Sequence, residues 1–266
     1  STCVRILDLL TVRSDATFLR VLPFHHVFAY TGIRLIPIAG GAETSFVESL
    51  RTVGENVREV SPTVLIGVPL LLDKMYAKIR AGLKKNKIAS LMLAVGLRKP
   101  VAKGVIQNLG GKLRLAVVGG SPSDPEMLKG FMQLGVPVLE GYGLTETAPV
   151  LTLNPIDAPK PGSIGKPLPN VDLRIDTPNE EGIGEIVARG PNIMRGYYNK
   201  PAATEEAIRD GWFFTGDMGY IDDEGSVIIT GRRKTLSVNR EGKNIYPEEV
   251  EVQTPSSAFI LQCIAL

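Results

Sequence analysis

Short apolar runs alternate with helical patterns through the first half of the chain, and glycine or proline stands between them. Residues 63–67 have the pattern of a buried strand, and Pro69 then opens a helix that runs to about Gly82. Proline suits this position because the first helical turn has no partner for its missing N–H. Residues 113–118 and 136–140 form two more short apolar runs. This alternation favours strand–helix–strand units around a largely parallel sheet.

Two of these strands lead into loops rich in glycine. A glycine pair follows the second strand, and a capping box formed by Ser123 and Glu126 then starts a helix that ends near Gly135. The third strand leads into the loop GYGLTET at residues 141–147. Open α/β sheets bind ligands at the carboxyl ends of their strands. The sequence therefore predicts a ligand site at these loops.

The composition of the chain changes from about Pro155, where short β runs separated by turns replace the helical patterns. The clearest runs lie at residues 171–175, 184–189 and 226–230, and residues 222–225 form the polar turn of a hairpin. The predicted fold is therefore α/β, with a largely parallel sheet, flanking helices and a small antiparallel sheet or barrel beside it.

Composition and charge exclude some classes of partner. Lysine and arginine total 30 against 28 acidic residues, and this net charge of +2 indicates no footprint for nucleic acid or an anionic membrane. The two cysteines, Cys3 and Cys263, have neither metal-ligand spacing nor a disulfide framework, which favours a reducing compartment. The apolar residues 64–72 are too few to cross a bilayer. The expected location is the cytoplasm, and peripheral attachment to a membrane stays open.

The GYGLTET loop has the residue types that hold phosphate. Glycines let the backbone approach a phosphate closely, and hydroxyls and N–H groups can cradle its oxygens. Glu146 could hold Mg²⁺, which usually takes one or two carboxylates and shares the phosphates. A tight turn with a capping threonine is the simpler interpretation. The sequence has no Walker loop and no dinucleotide fingerprint.

A second group of polar residues lies in GWFFTGD at residues 211–217 and GRRK at residues 231–234. Asp217 could accept hydrogen bonds from sugar hydroxyls or could bond its own turn. The basic residues after Gly231 could hold a phosphate or a ribose, although a short basic run is usually a solvated surface.

The order and spacing of these segments resemble the adenylate-forming superfamily of acyl-CoA synthetases, luciferases and peptide-synthetase adenylation domains. The resemblance covers nearly the whole chain, and the fatty acyl-CoA synthetases look most similar. Its motifs are LPFHHVF at 22–28, GGSP at 119–122, GYGLTET, PGSIGKPLPNV at 161–171, GEIVARGPNIMRGYY at 184–198, FTGD at 214–217 and GRRK.

The resemblance implies a role for each matching residue in holding ATP. An adenine pocket would be lined by Gly119, Gly120, Ser121 and Pro122, with Tyr142 packed on the purine and Gly143 beside it. Thr145 would contact the α-phosphate, and Glu146 would bind Mg²⁺. Asp217 and Arg232 would hold the ribose.

Two further residues match positions on the acyl and thiol sides of the family's site. His26 resembles the histidine beside the acyl carboxylate, and its alternative interpretation is an ordinary core or surface imidazole. Gly242 matches the glycine that lines the thiol tunnel.

The implied function is an acid:thiol ligase that uses ATP and Mg²⁺ to activate a fatty acid or another carboxylic acid and transfers the acyl group to CoA. Two alternatives stay open: transfer to acyl carrier protein, and a non-catalytic nucleotide-binding or interaction module.

The resemblance also divides the chain and implies groups outside it. It places an α/β subdomain of the AMP-binding domain at residues 1–154, a β-rich subdomain at 155–233, and a hinge with the start of a C-terminal domain at 234–266. Thr235 replaces the usual Asp or Lys of the hinge. The family's phosphate-binding loop and C-terminal lysine would lie outside this sequence, so the chain is expected to be an internal fragment that is inactive alone.

Overall fold

The computed structural model describes residues 2–10, 12–22, 25–49, 51–235, 237–238 and 244–245. A π-helical stretch, Tyr30–Leu35, joins α2 and α3. None of the helices in these residues combines the length and the apolar character needed to cross a membrane. The helices are α1 (Thr2–Leu10), α2 (Val27–Ala29), α3 (Ile36–Gly40), α4 (Val53–Val60), α5 (Pro69–Lys85), α6 (Lys87–Ala94), α7 (Arg98–Asn108), α8 (Pro125–Gln133) and α9 (Pro201–Ala207).

The first sheet has the strand order β2-β1-β3-β4-β5-β6-β7 within the described residues. Pairing is parallel from β2 to β5 and antiparallel at β6 and β7. The strands are β1 (Thr17–Arg20), β2 (Glu43–Phe46), β3 (Val64–Gly67), β4 (Leu115–Val118), β5 (Val138–Tyr142), β6 (Thr152–Leu153) and β7 (Lys166–Pro167). The predicted parallel sheet with flanking helices is confirmed.

Alternate residues of the central strands supply two cores, one on each face of this sheet. Leu65 and Val118 face a cluster that includes residues of α4, α5, α7 and α8. Their neighbours Ile66 and Val117 face the opposite cluster, which includes residues of α1 and α3. Because both faces are covered, these strands are apolar throughout rather than alternating. The result is a layer of helices on each side of the sheet.

The second sheet is antiparallel and has the order β10-β11-β9-β8, with β12 on the other side of β11. Its strands are β8 (Asp172–Asp176), β9 (Gly184–Arg189), β10 (Ile208–Arg209), β11 (Trp212–Ile221) and β12 (Val227–Arg232). The predicted hairpin is confirmed, since Ile221 pairs with Val227. The register of β11 shifts between Met218 and Gly219, one residue beyond Asp217. Such irregularities re-aim side chains beside functional sites. Two further short strands, β13 (Ser237–Val238) and β14 (Asn244–Ile245), pair with each other.

The structure changes two details of the predicted elements. The capping box is wrong: Asp124 is the N-cap of α8, and its Oδ1 accepts from the N–H of Glu126 at 2.9 Å. Ser123 is instead buried and hydrogen-bonds to Glu140. The third strand lies two residues later than predicted, since Gly141 and Tyr142 continue β5 to pair with β6. The subdomain boundaries proposed from the resemblance stay predictions.

Candidate functional site

A cavity of about 790 Å³ opens at the carboxyl ends of β3, β4 and β5 and is bounded on another side by β11 and β12. Every predicted site residue in the described part of the chain lines this cavity, although the sequence spreads them over about two hundred positions. They are His26, Gly119, Gly120, Ser121, Pro122, Tyr142, Gly143, Thr145, Glu146, Asp217 and Arg232. Gly242 lies outside the described residues.

The loop after β4 forms one wall with its backbone. A side chain at residue 119 would place its Cβ 2.9 Å from the carbonyl oxygen of Gly141, so glycine keeps the ends of β4 and β5 close together. Gly120 has φ of +91°, a conformation that side chains other than glycine rarely adopt. The two glycines therefore leave main-chain groups, rather than side chains, on this wall.

The two threonines of the GYGLTET segment have different roles. Thr147 is fully buried, and its hydroxyl accepts from the N–H of Leu144 at 2.9 Å and donates to the carbonyl of Pro149 at 3.1 Å. Thr145 begins a short 3₁₀ turn and is exposed at the cavity. Thr147 thus holds the loop in place, while the hydroxyl of Thr145 is left accessible for a ligand.

Asp217 joins the two sheets at the cavity. Its Oδ2 accepts from the hydroxyl of Tyr142 at 2.5 Å, and its Oδ1 accepts from Nε of Arg232 at 3.0 Å. Burial raises the pKa of the Asp217 carboxyl, and the hydrogen bond from Tyr142 and the charge of Arg232 oppose that shift. Burial and the neighbouring Asp217 raise the pKa of Tyr142 well above its usual range. A carboxylate has about four lone-pair sites, so Asp217 keeps acceptor capacity for a ligand.

Glu185 supports this arrangement from β9 and was missed by the sequence analysis. It is buried; its Oε1 accepts from the N–H of Gly216 at 2.9 Å, and its Oε2 accepts from Nη1 of Arg233 at 2.9 Å. Glu185 therefore anchors the backbone of β11 directly before Asp217. Its position as the second residue of GEIVARG was the available signal.

Glu146 is held at the edge of the cavity by a partner that the sequence analysis also missed. Its Oε1 accepts from the hydroxyl of Tyr197 at 2.9 Å, and its backbone carbonyl accepts from the N–H of Met194 at 2.7 Å. Burial and the Glu146 carboxylate raise the pKa of Tyr197. The described residues contain no group of three or more His, Cys, Asp or Glu that could enclose a metal. One carboxylate beside a hydroxyl fits Mg²⁺ that is shared with substrate phosphates.

Glu140 places a buried carboxyl group in the cavity wall. Its Oε2 accepts from the N–H of Gly162 at 3.2 Å, and Ser123 hydrogen-bonds to the same carboxyl. Burial raises the pKa of Glu140 to about 7, against the weaker opposing effect of these hydrogen bonds. In the sequence, this residue stands at the end of an apolar run and has no other predicted role. A glutamate directly before GYGLTET was the signal that could have identified it.

His26 lines the cavity, and its Nδ1 accepts from the N–H of Phe28 at 3.3 Å, which caps α2. It is exposed rather than part of a core, as is His25. The capping bond directs one ring nitrogen to the backbone and leaves Nε2 for another partner.

These features agree with a comparison of the chain with known protein families. The sequence pattern of the AMP-binding enzyme family matches residues 2–198. The chain belongs to this family. The resemblance noted from its motifs is thereby confirmed.

Several curated relatives of the chain are CoA ligases. A long-chain-fatty-acid–CoA ligase of Mycobacterium bovis is 29% identical over 96% of this chain and 46% of its own length. A 2-succinylbenzoate–CoA ligase of Geobacillus kaustophilus is 36% identical over 71% of this chain and 40% of its own length. The chain therefore spans less than half of these relatives.

Solved structures of the same fold include nucleotide complexes. ATP-bound MatB from Rhodopseudomonas palustris is 26% identical with a TM-score of 0.79, and the match covers 98% of this chain and 48% of that one. The o-succinylbenzoate CoA synthetase of Bacillus subtilis, in complex with its acyl-adenylate intermediate, is 26% identical with a TM-score of 0.77; coverage is 98% and 50%.

Proposed function

We propose that this chain supplies the adenylate-binding half of an ATP-dependent acid–CoA ligase. The observation that carries the proposal is the convergence of residues from GGSP, GYGLTET, FTGD and GRRK on one cavity. Family membership supports it, as do the relatives that are CoA ligases. The full-length protein would activate a carboxylic acid as its acyl-adenylate and then transfer the acyl group to CoA.

The nucleoside would lie against the glycine-lined wall. Main-chain groups of residues 119–122 suit a planar neutral base, and the ring of Tyr142 offers an apolar surface beside them. Asp217 would accept from the ribose hydroxyls while it keeps its bonds to Tyr142 and Arg232. A buried carboxylate that is already held by two donors needs little reorganisation when a sugar arrives.

The phosphates would lie at Thr145 and Glu146. The hydroxyl of Thr145 would donate to an α-phosphate oxygen, and Glu146 would hold Mg²⁺, which supplies charge neutralisation for the phosphates. The substrate carboxylate would attack the α-phosphorus, the bond to the bridging oxygen would break, and pyrophosphate would leave. A thiol would then attack the acyl carbon and release AMP. Positioning and charge neutralisation account for most catalysis of this kind.

The acid would enter beside His26. Apolar side chains line the cavity on this side, among them Ile6, Leu10, Phe28 and Ile36. An apolar wall suits an acyl chain, and the fatty-acid ligase of M. bovis matches almost the whole of this chain. We therefore propose a fatty acid as the substrate, with 2-succinylbenzoate, the acid named for the Geobacillus relative, as the competitor to test.

Acid-dependent exchange of labelled pyrophosphate into ATP tests this function. The full-length protein and the 266-residue chain are assayed in parallel with fatty acids of several lengths and with 2-succinylbenzoate. Exchange with one class of acid identifies the substrate. Nucleotide binding without exchange by the full-length protein would contradict the proposal and favour a non-catalytic module. CoA and acyl carrier protein are then compared as acceptors, and we expect CoA.

Replacing Tyr197 with phenylalanine should raise the Mg²⁺ concentration needed for half-maximal exchange about tenfold. Mutation of a residue that orients a metal ligand typically lowers metal affinity or activity about 10- to 100-fold. The variant removes the hydroxyl that donates to Glu146 at 2.9 Å. The measurement is the Mg²⁺ concentration for half-maximal exchange. Tyr198→Phe is the matched control, since Tyr198 is the next residue and is 91% exposed. Equal Mg²⁺ dependence in the two variants would remove Tyr197 from the site.

A further inference from the structure

Positive charge is concentrated in one segment of the chain, residues 74–123, although the net charge of the whole is only +2. This segment holds eleven of the 30 basic residues and none of the 28 acidic ones. All eleven are exposed, and within the described part of the chain only Arg114 forms an ion pair, with Asp15 at 3.7 Å. They are Lys74, Lys78, Arg80, Lys84, Lys85, Lys87, Arg98, Lys99, Lys103, Lys112 and Arg114.

Helix α6 lies in this segment and is apolar on nearly all sides. Met92 and Leu93 are partly buried and pack against the core that covers one face of the parallel sheet. On the other side, Ile88, Leu91 and Val95 are 68%, 65% and 62% exposed. Their spacing of three and four residues places them in one row along the helix. An apolar row of this kind is uncommon at a surface in contact with water alone.

Basic side chains lie directly beside this helix. Arg80, Lys84 and Arg98 line a shallow depression of about 220 Å³ together with Ser90 and Leu93 of α6. Lys85 ends α5, Lys87 is the first residue of α6, and Lys99 follows shortly after the helix. The exposed apolar row and the cations therefore belong to one surface, which we call the α6 surface.

We propose that the α6 surface docks the protein on an anionic lipid bilayer. Apolar side chains that reach the boundary between headgroups and acyl chains, with cations beside them at the level of the phosphates, are the combination that interfacial helices use. A nucleic acid would use the cations and leave the apolar row in water, whereas lipid uses both. The net charge of the whole chain gives no sign of this surface, because acidic residues elsewhere in the sequence balance its basic residues. The inference does not depend on the proposed ligase activity.

Co-sedimentation of the full-length protein with vesicles tests the proposal. We expect binding to vesicles that contain phosphatidylglycerol and little binding to pure phosphatidylcholine. Raising NaCl to about 0.5 M should weaken binding about tenfold, because exposed charges are screened at that ionic strength. Both Ile88→Ser/Leu91→Ser and Lys84→Gln/Lys85→Gln/Lys87→Gln should reduce the bound fraction at least about tenfold.

Two control variants distinguish binding through the α6 surface from nonspecific binding to vesicles. Ile38→Ser removes an apolar side chain of similar exposure, 70%, from another part of the molecule, and Lys200→Gln removes an exposed charge outside the segment. Both should bind vesicles as the wild type does. Circular dichroism establishes that each variant is folded. Absence of binding to anionic vesicles, or equal binding by folded α6-surface variants, would overturn the proposal. So would a dimer in analytical ultracentrifugation that Ile88→Ser/Leu91→Ser converts to monomer, since a second copy would then cover this face.

Discussion

Replacing Glu140 with glutamine should raise the free energy of unfolding at pH 8 by about 3 kcal/mol, because each pKa unit corresponds to about 1.4 kcal/mol. Burial raises the pKa of Glu140 from 4.5 to about 7 in the folded protein. Glutamine can still accept from the N–H of Gly162 and from the hydroxyl of Ser123, and it carries no charge to desolvate.

The sign of the pH dependence follows from the direction of this shift. Below pH 4.5 the carboxyl is protonated in both states, and the variant and wild type differ little in this contribution. Between pH 4.5 and 7 the unfolded state releases the proton first, so the stability contributed by this group falls as pH rises. Above pH 7 the loss is complete. The unfolding free energy of Glu140→Gln relative to the wild type therefore increases as the pH rises from 4.5 to 7.

Urea unfolding at pH 5, 6, 7 and 8 measures this difference in unfolding free energy between Glu140→Gln and wild type. Glu126→Gln is the control, because Glu126 is exposed and its pair with Lys129 lies at the surface. Surface pairs contribute about 0–1 kcal/mol. A difference for Glu140→Gln that stays constant from pH 5 to pH 8 would contradict the assignment of a buried, titrating carboxyl.

Replacing Gly143 with alanine should lower the free energy of unfolding by about 3 kcal/mol and weaken nucleotide binding, since overpacking against fixed neighbours costs about 1–3 kcal/mol or more. An added Cβ would overlap the carbonyl group of Pro149 and lie 2.9 Å from the Cα of Val150. Both obstacles are backbone atoms, so the GYGLTET loop itself would have to move.

Gly104→Ala is the matched control for this substitution. Gly104 lies within α7, and an added Cβ there would meet no atom within 4 Å. Alanine at this position should stabilise the protein by about 0.5–1 kcal/mol through helix propensity. The two glycine variants should therefore change urea midpoints in opposite directions. Equal stability of Gly143→Ala and wild type would show that the loop is not closely packed.

The parts of the fold that follow from local pattern were predicted from the sequence. The strand that became β3 and the proline-initiated α5 were predicted because apolar runs and proline act within a few residues. The extension of β5 through Gly141 and Tyr142 was missed, because it depends on pairing with β6 from a later segment. The N-cap of α8 moved from Ser123 to Asp124 because Ser123 bonds to Glu140, which is distant in sequence.

The residues of the candidate site also divide into those that were predicted from the sequence and those that were missed. The motif residues Tyr142, Asp217 and Arg232 were identified through their resemblance to a family, and the structure places them in hydrogen-bond contact. The supporting contacts of Glu140 and Glu185 join residues 22 and 31 positions apart, and sequence spacing carries no information about such pairs. The α6 surface was missed for another reason, because the net charge of the whole chain does not show where the basic residues are concentrated.

In the proposed function, the cavity between the two sheets holds an adenine nucleotide on Asp217. Isothermal titration calorimetry of AMP with the full-length protein tests this binding, with Asp217→Asn as the variant and Asp222→Asn, in the hairpin turn and not among the residues that line the cavity, as the control. We predict binding by wild type and Asp222→Asn, and affinity at least about tenfold weaker for Asp217→Asn, since hydrogen bonds to a charged group contribute about 1.5–3 kcal/mol. Absence of AMP binding by the wild type, or equal affinity for wild type and Asp217→Asn, would contradict the assignment of Asp217 to a nucleotide site.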